Sequence, residues 1–195
     1  MNTPTINTAF EDLKTIVKES TIDHNDVHKY NMSLTITDPD SSDIPYDIKE
    51  IVTAKLDFYM NGDLSVPPSL RHHYEHLINE IGKVNSNYGW QMKRAMQFDI
   101  ATEKLLHNPD SLDAYVTIYD GKEQSQHAYD SPNILSIGFQ AVNNKLHVNV
   151  HIKSFSVHNE FLHESLLILQ FSQMVARSLS MRLKQIHFSI DNLTT

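Results

Sequence analysis

Pro132-Asn-Ile-Leu-Ser-Ile-Gly-Phe-Gln-Ala-Val142, then Asn143-Asn144, then Lys145-Leu-His-Val-Asn-Val-His-Ile-Lys-Ser154 is the stretch that decides the fold of this 195-residue chain. Two apolar segments flank an Asn-Asn pair, and asparagine tolerates the positive φ that a tight hairpin turn demands. The spacing therefore predicts an antiparallel hairpin. In its second strand Leu146, Val148, Val150 and Ile152 alternate with His147, Asn149, His151 and Lys153. One face is core and the other is a row of hydrogen-bonding and basic groups. Beyond Ser156-Val-His-Asn159 an apolar helix is expected from about Glu160 to Ser180. Its Phe161, Leu162, Leu166, Leu167, Leu169, Met174, Val175 and Leu179 cover more than one stripe, so it should be buried on most sides. Asn159 is the expected N-cap, Glu160 suits the first turn, and Arg177 and Arg182 suit the last. A strand over 185–190 closes the unit.

Working outward, residues 8–19 place Phe10, Leu13, Ile16 and Val17 at helical spacing, and Asn31 to Thr37 alternates as a strand. The loop Asp38-Pro-Asp-Ser-Ser-Asp43 is turn chemistry. It leads to a helix from Asp47 to Met60 that Asn61-Gly62 should stop. Val66-Pro67-Pro68-Ser69 is a stiff connector into a helix reaching Ile81, and 85–89 reads as a loop. Trp90 to His107 reads as one helix with Met96, Ile100, Leu105 and Leu106 on its apolar side. Leu112 to Tyr119 reads as a strand and 120–130 as a polar loop. No repeat, low-complexity tract or glycine-rich phosphate loop is present, and five glycines leave no dinucleotide fingerprint. Pattern alone gives a mixed α/β fold with helices on one side of an antiparallel or mixed sheet.

Order and spacing from Tyr88 to Asp191 resemble the thymidylate synthase and pyrimidine-nucleotide hydroxymethylase superfamily. Phe139, Leu146, Lys153-Ser154 and Met174-Val175-Ala176 fall where that family has its Phe, Leu, Arg-Ser and Met-Met-Ala. Tyr88-Gly89 with Gln91 resembles its Tyr-Gly-x-Gln-Trp, with Met92 in place of Trp. Asn108-Pro109-Asp110-Ser111 resembles its Asn/Asp-Pro-x-Ser-Arg-Arg. The resemblance implies a single domain over 1–195, with an N-terminal helical part at 1–84 and a core sheet and central helix at 85–195. The fold class it implies is α/β (α+β): a thymidylate synthase-like twisted mixed sheet, helices packed on one side, and a long buried central helix. It also implies a sheet-to-sheet homodimer.

Departures from the family bear on function. Its nucleophilic cysteine falls on Asn133, and the chain has no cysteine. A carboxamide cannot attack C6 of a pyrimidine, because that step needs an easily ionised, polarizable nucleophile. The paired arginines after Pro-x-Ser are Leu112 and Asp113, and the Asp used with the folate cofactor is Ser156. No cofactor is expected. The base-reading Asn falls near Glu164, where a carboxylate would accept from a cytosine amino group and repel O4 of uracil. Lys153 and Ser154 match the phosphate-contacting Arg-Ser. The expected nucleotide-binding set is Lys153, Ser154, Glu164, His151 and Tyr88, with no catalytic residue in the nucleophile slot. Tyr88 and Trp90 equally suit a packed corner. The polar row His147, His151 and Lys153 equally suits a wet sheet surface or a dimer interface.

Composition narrows the rest. A net charge of −8 excludes broad nucleic-acid or anionic-membrane binding. No apolar run approaches the roughly 20 residues of a membrane span. The N-terminus has no signal-peptide pattern, so a cytoplasmic protein is expected. Among twelve histidines, His72 and His76 share a helix face at i,i+4, but no His-Glu-x-x-His occurs, and a solvated face is favoured over a metal site. Two functional classes follow. One is a catalytically degenerate relative that binds a pyrimidine nucleotide weakly, or serves as a regulatory or interaction protein for a protein partner. The other is an active dCMP/dUMP hydroxymethylase-like enzyme whose general base, from His151, His163 or Glu164, replaces the thiolate.

Overall fold

The computed structural model describes residues 1–20, 28–75, 78, 83–84, 88–94, 96–119 and 132–194. The expected hairpin is present. Strand β4 (Ile134–Val142) turns through Asn143 and Asn144, at φ 51° and 57°, into β5 (Lys145–Ser156). Positive φ at both central residues gives the primed turn whose twist matches the flanking strands. Strand β6 (Arg182–Thr194) lies parallel to β5, and β2 (His28–Ile36) runs antiparallel to β6. Two short strands complete the edges, β1 (Asn2–Thr3) beside β2 and β3 (Tyr115–Thr117) beside β4, in the order β1-β2-β6-β5-β4-β3.

One face of this sheet is the core. Leu146, Val148, Val150 and Ile152 of β5 and Ile186, Phe188 and Ile190 of β6 are buried. Against this face lie α1 (Ile6–Ser20) and the central helix, taken up below as α6, and α2 (Tyr46–Asn61) packs on the central helix. Among the described residues no helix covers the opposite face. Its rows run Ser136–His151–Ser189–Ser33, Gly138–Asn149–His187–Thr35, and Gln140–His147–Gln185. Tyr115 leans over Gly138, where a β-carbon would come within 2.6 Å of the tyrosine ring. Within the face Thr35 and His187 are hydrogen-bonded at 2.9 Å.

The four central strands change phase together. Inward-facing residues two apart become three apart from Ile134 to Ile137 in β4, Ile152 to Phe155 in β5, and Ile190 to Leu193 in β6. In β2, Asn31 takes a left-handed conformation (φ 56°) between the register pairs Tyr30–Asn192 and Met32–Ile190. Extra or out-of-phase residues bend a strand and re-aim its side chains. The result carries the end of β5 from the sheet into the start of the central helix.

Other expectations need adjustment at specific residues. The Trp90–His107 helix is two helices, α4 (Tyr88–Arg94) and α5 (Gln97–His107). Met96 between them is left-handed (φ 49°), which ends one helix and re-aims the next. Met96, Ile100 and Leu106 are exposed, while Ala101 and Leu105 are buried. Tyr88 and Gly89 open α4 instead of ending a loop. Gly89 sits against α2, where a β-carbon would lie 1.5 Å from the Tyr59 carbonyl oxygen. The strand expected over 112–119 is only Tyr115–Thr117, and the last strand is longer than 185–190. Gly62 caps α2 at φ 63°, as its position implies. Pro68–Leu70 is a 3-10 turn leading to α3 (Arg71–Tyr74). The expected helix beyond it at 76–77 and 79–82, and the loop 120–130, lie outside the described residues.

Candidate functional site

The central helix α6 (Leu162–Ser178) is entered through a π-helical turn, Val157–Phe161. Its N-cap is Ser156, not Asn159: the Ser156 hydroxyl accepts from Asn159 N at 3.3 Å. Glu160 reaches back so that Oε2 accepts from Ser156 N at 3.0 Å. This is a capping box lengthened by one residue, because a π turn holds one more residue than an α turn. Phe155 and Phe161, ring centroids 5.7 Å apart and nearly perpendicular, pin the turn to the sheet.

The other oxygen of Glu160 accepts from Asn133 Nδ2 at 3.0 Å. Asn133, expected from the resemblance to fall in the nucleophile slot, is therefore tied to the helix start, and its backbone carbonyl accepts from Lys153 N at 2.7 Å. Burial pushes the Glu160 carboxyl up, and the Glu164 charge adds to this; the Ser156 N–H, Lys55 and Asn133 pull it back.

One turn further along, Glu164 is 7% exposed. Its Oε1 accepts from Lys55 Nζ of α2 at 2.8 Å, while Oε2 is buried with no partner. Lys55 lies on the core-facing stripe of α2 with Val52 and Tyr59, and its ammonium stands 5.9 Å from the Tyr74 ring centre. Tyr74 and Tyr59 join hydroxyls at 2.6 Å. Burial, then Glu164, pushes the Tyr74 phenol up, against the hydrogen bond from Tyr59. At the outer side His73 of α3 meets His163 of α6, with centroids 6.4 Å apart. Burial lowers the pKa of His73, and Lys55 and His72 lower it further.

The expected site residues are distributed unevenly about this cluster. Glu164 is at its centre. Lys153 and Ser154, both half-buried, lie at the end of β5, two or three residues before the Ser156 cap. His151 lies on the open face, across the sheet from Glu164, and meets Asp191 Oδ1 at 2.9 Å. Tyr88 opens α4, but its side chain lies outside the described residues. His72 is exposed beside Arg71, and His76 lies outside the described residues. Among the described residues no group of three His, Asp or Glu is placed to hold a metal.

Sequence reasoning passed over Lys55, Tyr59 and Tyr74. One signal was available: Lys55 is a lysine on an otherwise apolar helical stripe, where charge is kept only with a partner. A separate cavity of about 120 Å³ lies behind Tyr59, walled by Met60, Met92, Met96, Phe98 and Phe171. Its walls are mostly apolar, with Lys93, Asp99 and the Tyr59 phenol as the ionisable groups among the described residues that line it.

No protein-family model matches the sequence, and no curated protein sequence does. Solved structures do match in shape. Thermostable thymidylate synthase A from Bacillus subtilis superposes with a TM-score of 0.77 at 14% identity, over 97% of this chain and 79% of its own. Thymidylate synthase from T4 phage gives 0.76 at 14% identity, over 95% and 75%. No helix among the described residues is long and apolar enough to cross a membrane. The chain has the thymidylate synthase fold, built without a cysteine.

Proposed function

We propose that the protein binds a pyrimidine nucleotide non-covalently, with Glu164 toward the base and Lys153-Ser154 toward the phosphate, and carries out no folate-dependent methyl or hydroxymethyl transfer. The observation behind this reading is the buried Glu164 carboxylate with one oxygen on Lys55 and the other unpartnered. A buried acceptor without a donor costs free energy unless a ligand or water supplies one. An exocyclic amino group is such a donor, so cytosine nucleotides are favoured over uracil ones. Lys153 offers a point charge and Ser154 a hydroxyl for phosphate.

The folate cofactor of the family does not suit these residues. Ser156, in the position of the folate-linked Asp, has its hydroxyl engaged in the helix cap, and Asn133 has its amide on Glu160. The surface that would pair two copies is the middle of the open sheet face, around Asn149 and His187, with the end at Lys145 and Arg182 left at its rim, and the proposed assembly is a homodimer.

Calorimetric titration with CMP, dCMP, UMP and dUMP tests the reading. Cytosine nucleotides should bind with Kd on the order of 0.1–1 mM, about −4 to −5.5 kcal/mol. Uracil nucleotides should bind roughly tenfold more weakly, and Glu164→Gln should reduce that preference, since a carboxamide donates to O4 as well as accepting. Lys153→Ala should abolish binding. If none of the four binds at millimolar concentration, an interaction module is the correct reading. Turnover above the no-enzyme control in tritium release from labelled dUMP or dCMP would overturn the non-enzymatic part.

A further inference from the structure

Acids are distributed very unevenly along this chain. Of 24 Asp and Glu, only Glu160, Glu164 and Asp191 lie beyond residue 130. No acid occurs from Ser131 to Asn159 or from Ser165 to Ile190, the two stretches that build β4, β5, most of α6 and most of β6. Cations do occur there, and the register places three of them at one corner of the open face. Lys145 at the start of β5 and Arg182 at the start of β6 are direct partners across the parallel ladder. The register then slips, from Leu146–Leu183 to His147–Gln185, so that Lys184 is the residue left without a partner in β5. Lys145, Arg182 and Lys184 are exposed, and His147 is half-buried between Gln140 of β4 and Gln185 of β6.

Like charges directly opposite across a ladder are unfavourable, and an adjacent carboxylate normally relieves them. Here none does: among the described residues no ion pair involves Lys145, Arg182, Lys184 or His147. The groups beside His147 are Gln140 from β4, Gln185 and Lys184 from β6, and Lys145 from β5, all neutral or cationic. Burial lowers the pKa of His147, and Lys184 and Lys145 lower it further. A chain of net charge −8 thus keeps, among its described residues, a cationic corner without an ion pair on a polar surface.

We propose that this corner, Lys145, His147, Arg182 and Lys184 with the amides of Gln140 and Gln185, is a binding site for a multiply charged oxyanion, a phosphate or sulfate group. A guanidinium and two ammoniums are carried at one end of two neighbouring strands, and two carboxamides and an imidazole supply further N–H donors. The site is separate from Lys153-Ser154. Eight residues of β5 divide Lys145 from Lys153, about 26 Å at about 3.3 Å per residue. A bound dianion stabilises the imidazolium of His147, so affinity rises as pH falls through its titration.

Sulfate is the probe, because its charge does not change between pH 5 and 8. The imidazole signals of the full-length chain are followed by NMR as sulfate replaces chloride at constant ionic strength. The His147 resonance should shift saturably, its pKa should rise by roughly 0.5–1 unit, and His158 should not respond. Arg182→Ala and Lys184→Ala should each weaken sulfate binding by roughly 3–10-fold, and Lys145→Glu should abolish it. Lys153→Ala and Glu164→Gln should leave it intact. Equal responses to chloride and sulfate mean screening alone and overturn the proposal. So does a sulfate response that survives Lys145→Glu in a chain whose circular dichroism is unchanged.

Discussion

At Lys55 a cation stands where the core-facing stripe of α2 calls for an apolar residue, and Glu164 answers it from α6. Removing one member of such a pair strands the other in low dielectric. Lys55→Ala should therefore lose about 3–5 kcal/mol in urea denaturation followed by circular dichroism. Replacing both at once, Lys55→Met with Glu164→Leu, should leave stability within about 1 kcal/mol of the original or above it, while removing the cytosine preference. Glu160 gives a pH dependence of its own. Its folded pKa lies above the usual 4.5, so its contribution to stability is present below that value and is lost as pH rises through the folded pKa. His73, lowered, has the opposite sign: its contribution is present above 6.5 and is lost on acidification. Glu160→Gln keeps the side chain's shape and removes its titration, so thermal melts from pH 4.5 upward should flatten relative to the parent.

Among the elements, α4 and α5 show where sequence patterns stop being informative. Their apolar positions run on at helical spacing, and methionine announces no break, yet Met96 is left-handed. Only glycine adopts that conformation without a β-carbon penalty, so Met96→Gly should stabilise by about 1 kcal/mol, or about 2–4 °C in Tm for a chain of this size. Gly89 reports the reverse. Its place is dictated by the Tyr59 backbone beside it, and Gly89→Ala should cost about 3 kcal/mol through forced separation of α2 and α4. The β4–β5 hairpin was legible because Asn143-Asn144 names its own turn. The N-cap ahead of α6 differs by three residues, Ser156 instead of Asn159, because a π turn has no sequence signature and Ser156 lies too far ahead of the apolar run to look like a cap.

For the whole molecule, the alternation of β5 and its succession by a buried helix made the fold readable, since both periods are local. Of the buried cluster, the sequence reading singles out only Glu164 and its neighbour His163. Lys55 is 109 residues away in sequence, and nothing local in α2 points to its partner. The open face sets the scale of the proposed homodimer. Four strands about 4.8 Å apart and about nine residues long make a face of roughly 19 by 30 Å, which for two copies approaches the 1,000–1,200 Å² lower bound of stable interfaces. Light scattering at tens of micromolar should give about 45 kDa, twice the 22.4 kDa chain. Asn149→Lys, at the middle of the face, should return the monomer mass. The shared phase change of β2, β6, β5 and β4 has an evolutionary corollary. Deleting one residue from any of these strands would turn its inward side chains out while its neighbours stayed put, so drift by insertion or deletion is barred through the middle of the sheet. Substitution is not barred, because each position keeps its direction whatever residue fills it. Side chains can in this way be exchanged almost throughout while the same backbone is kept, as the shared fold at 14% identity illustrates.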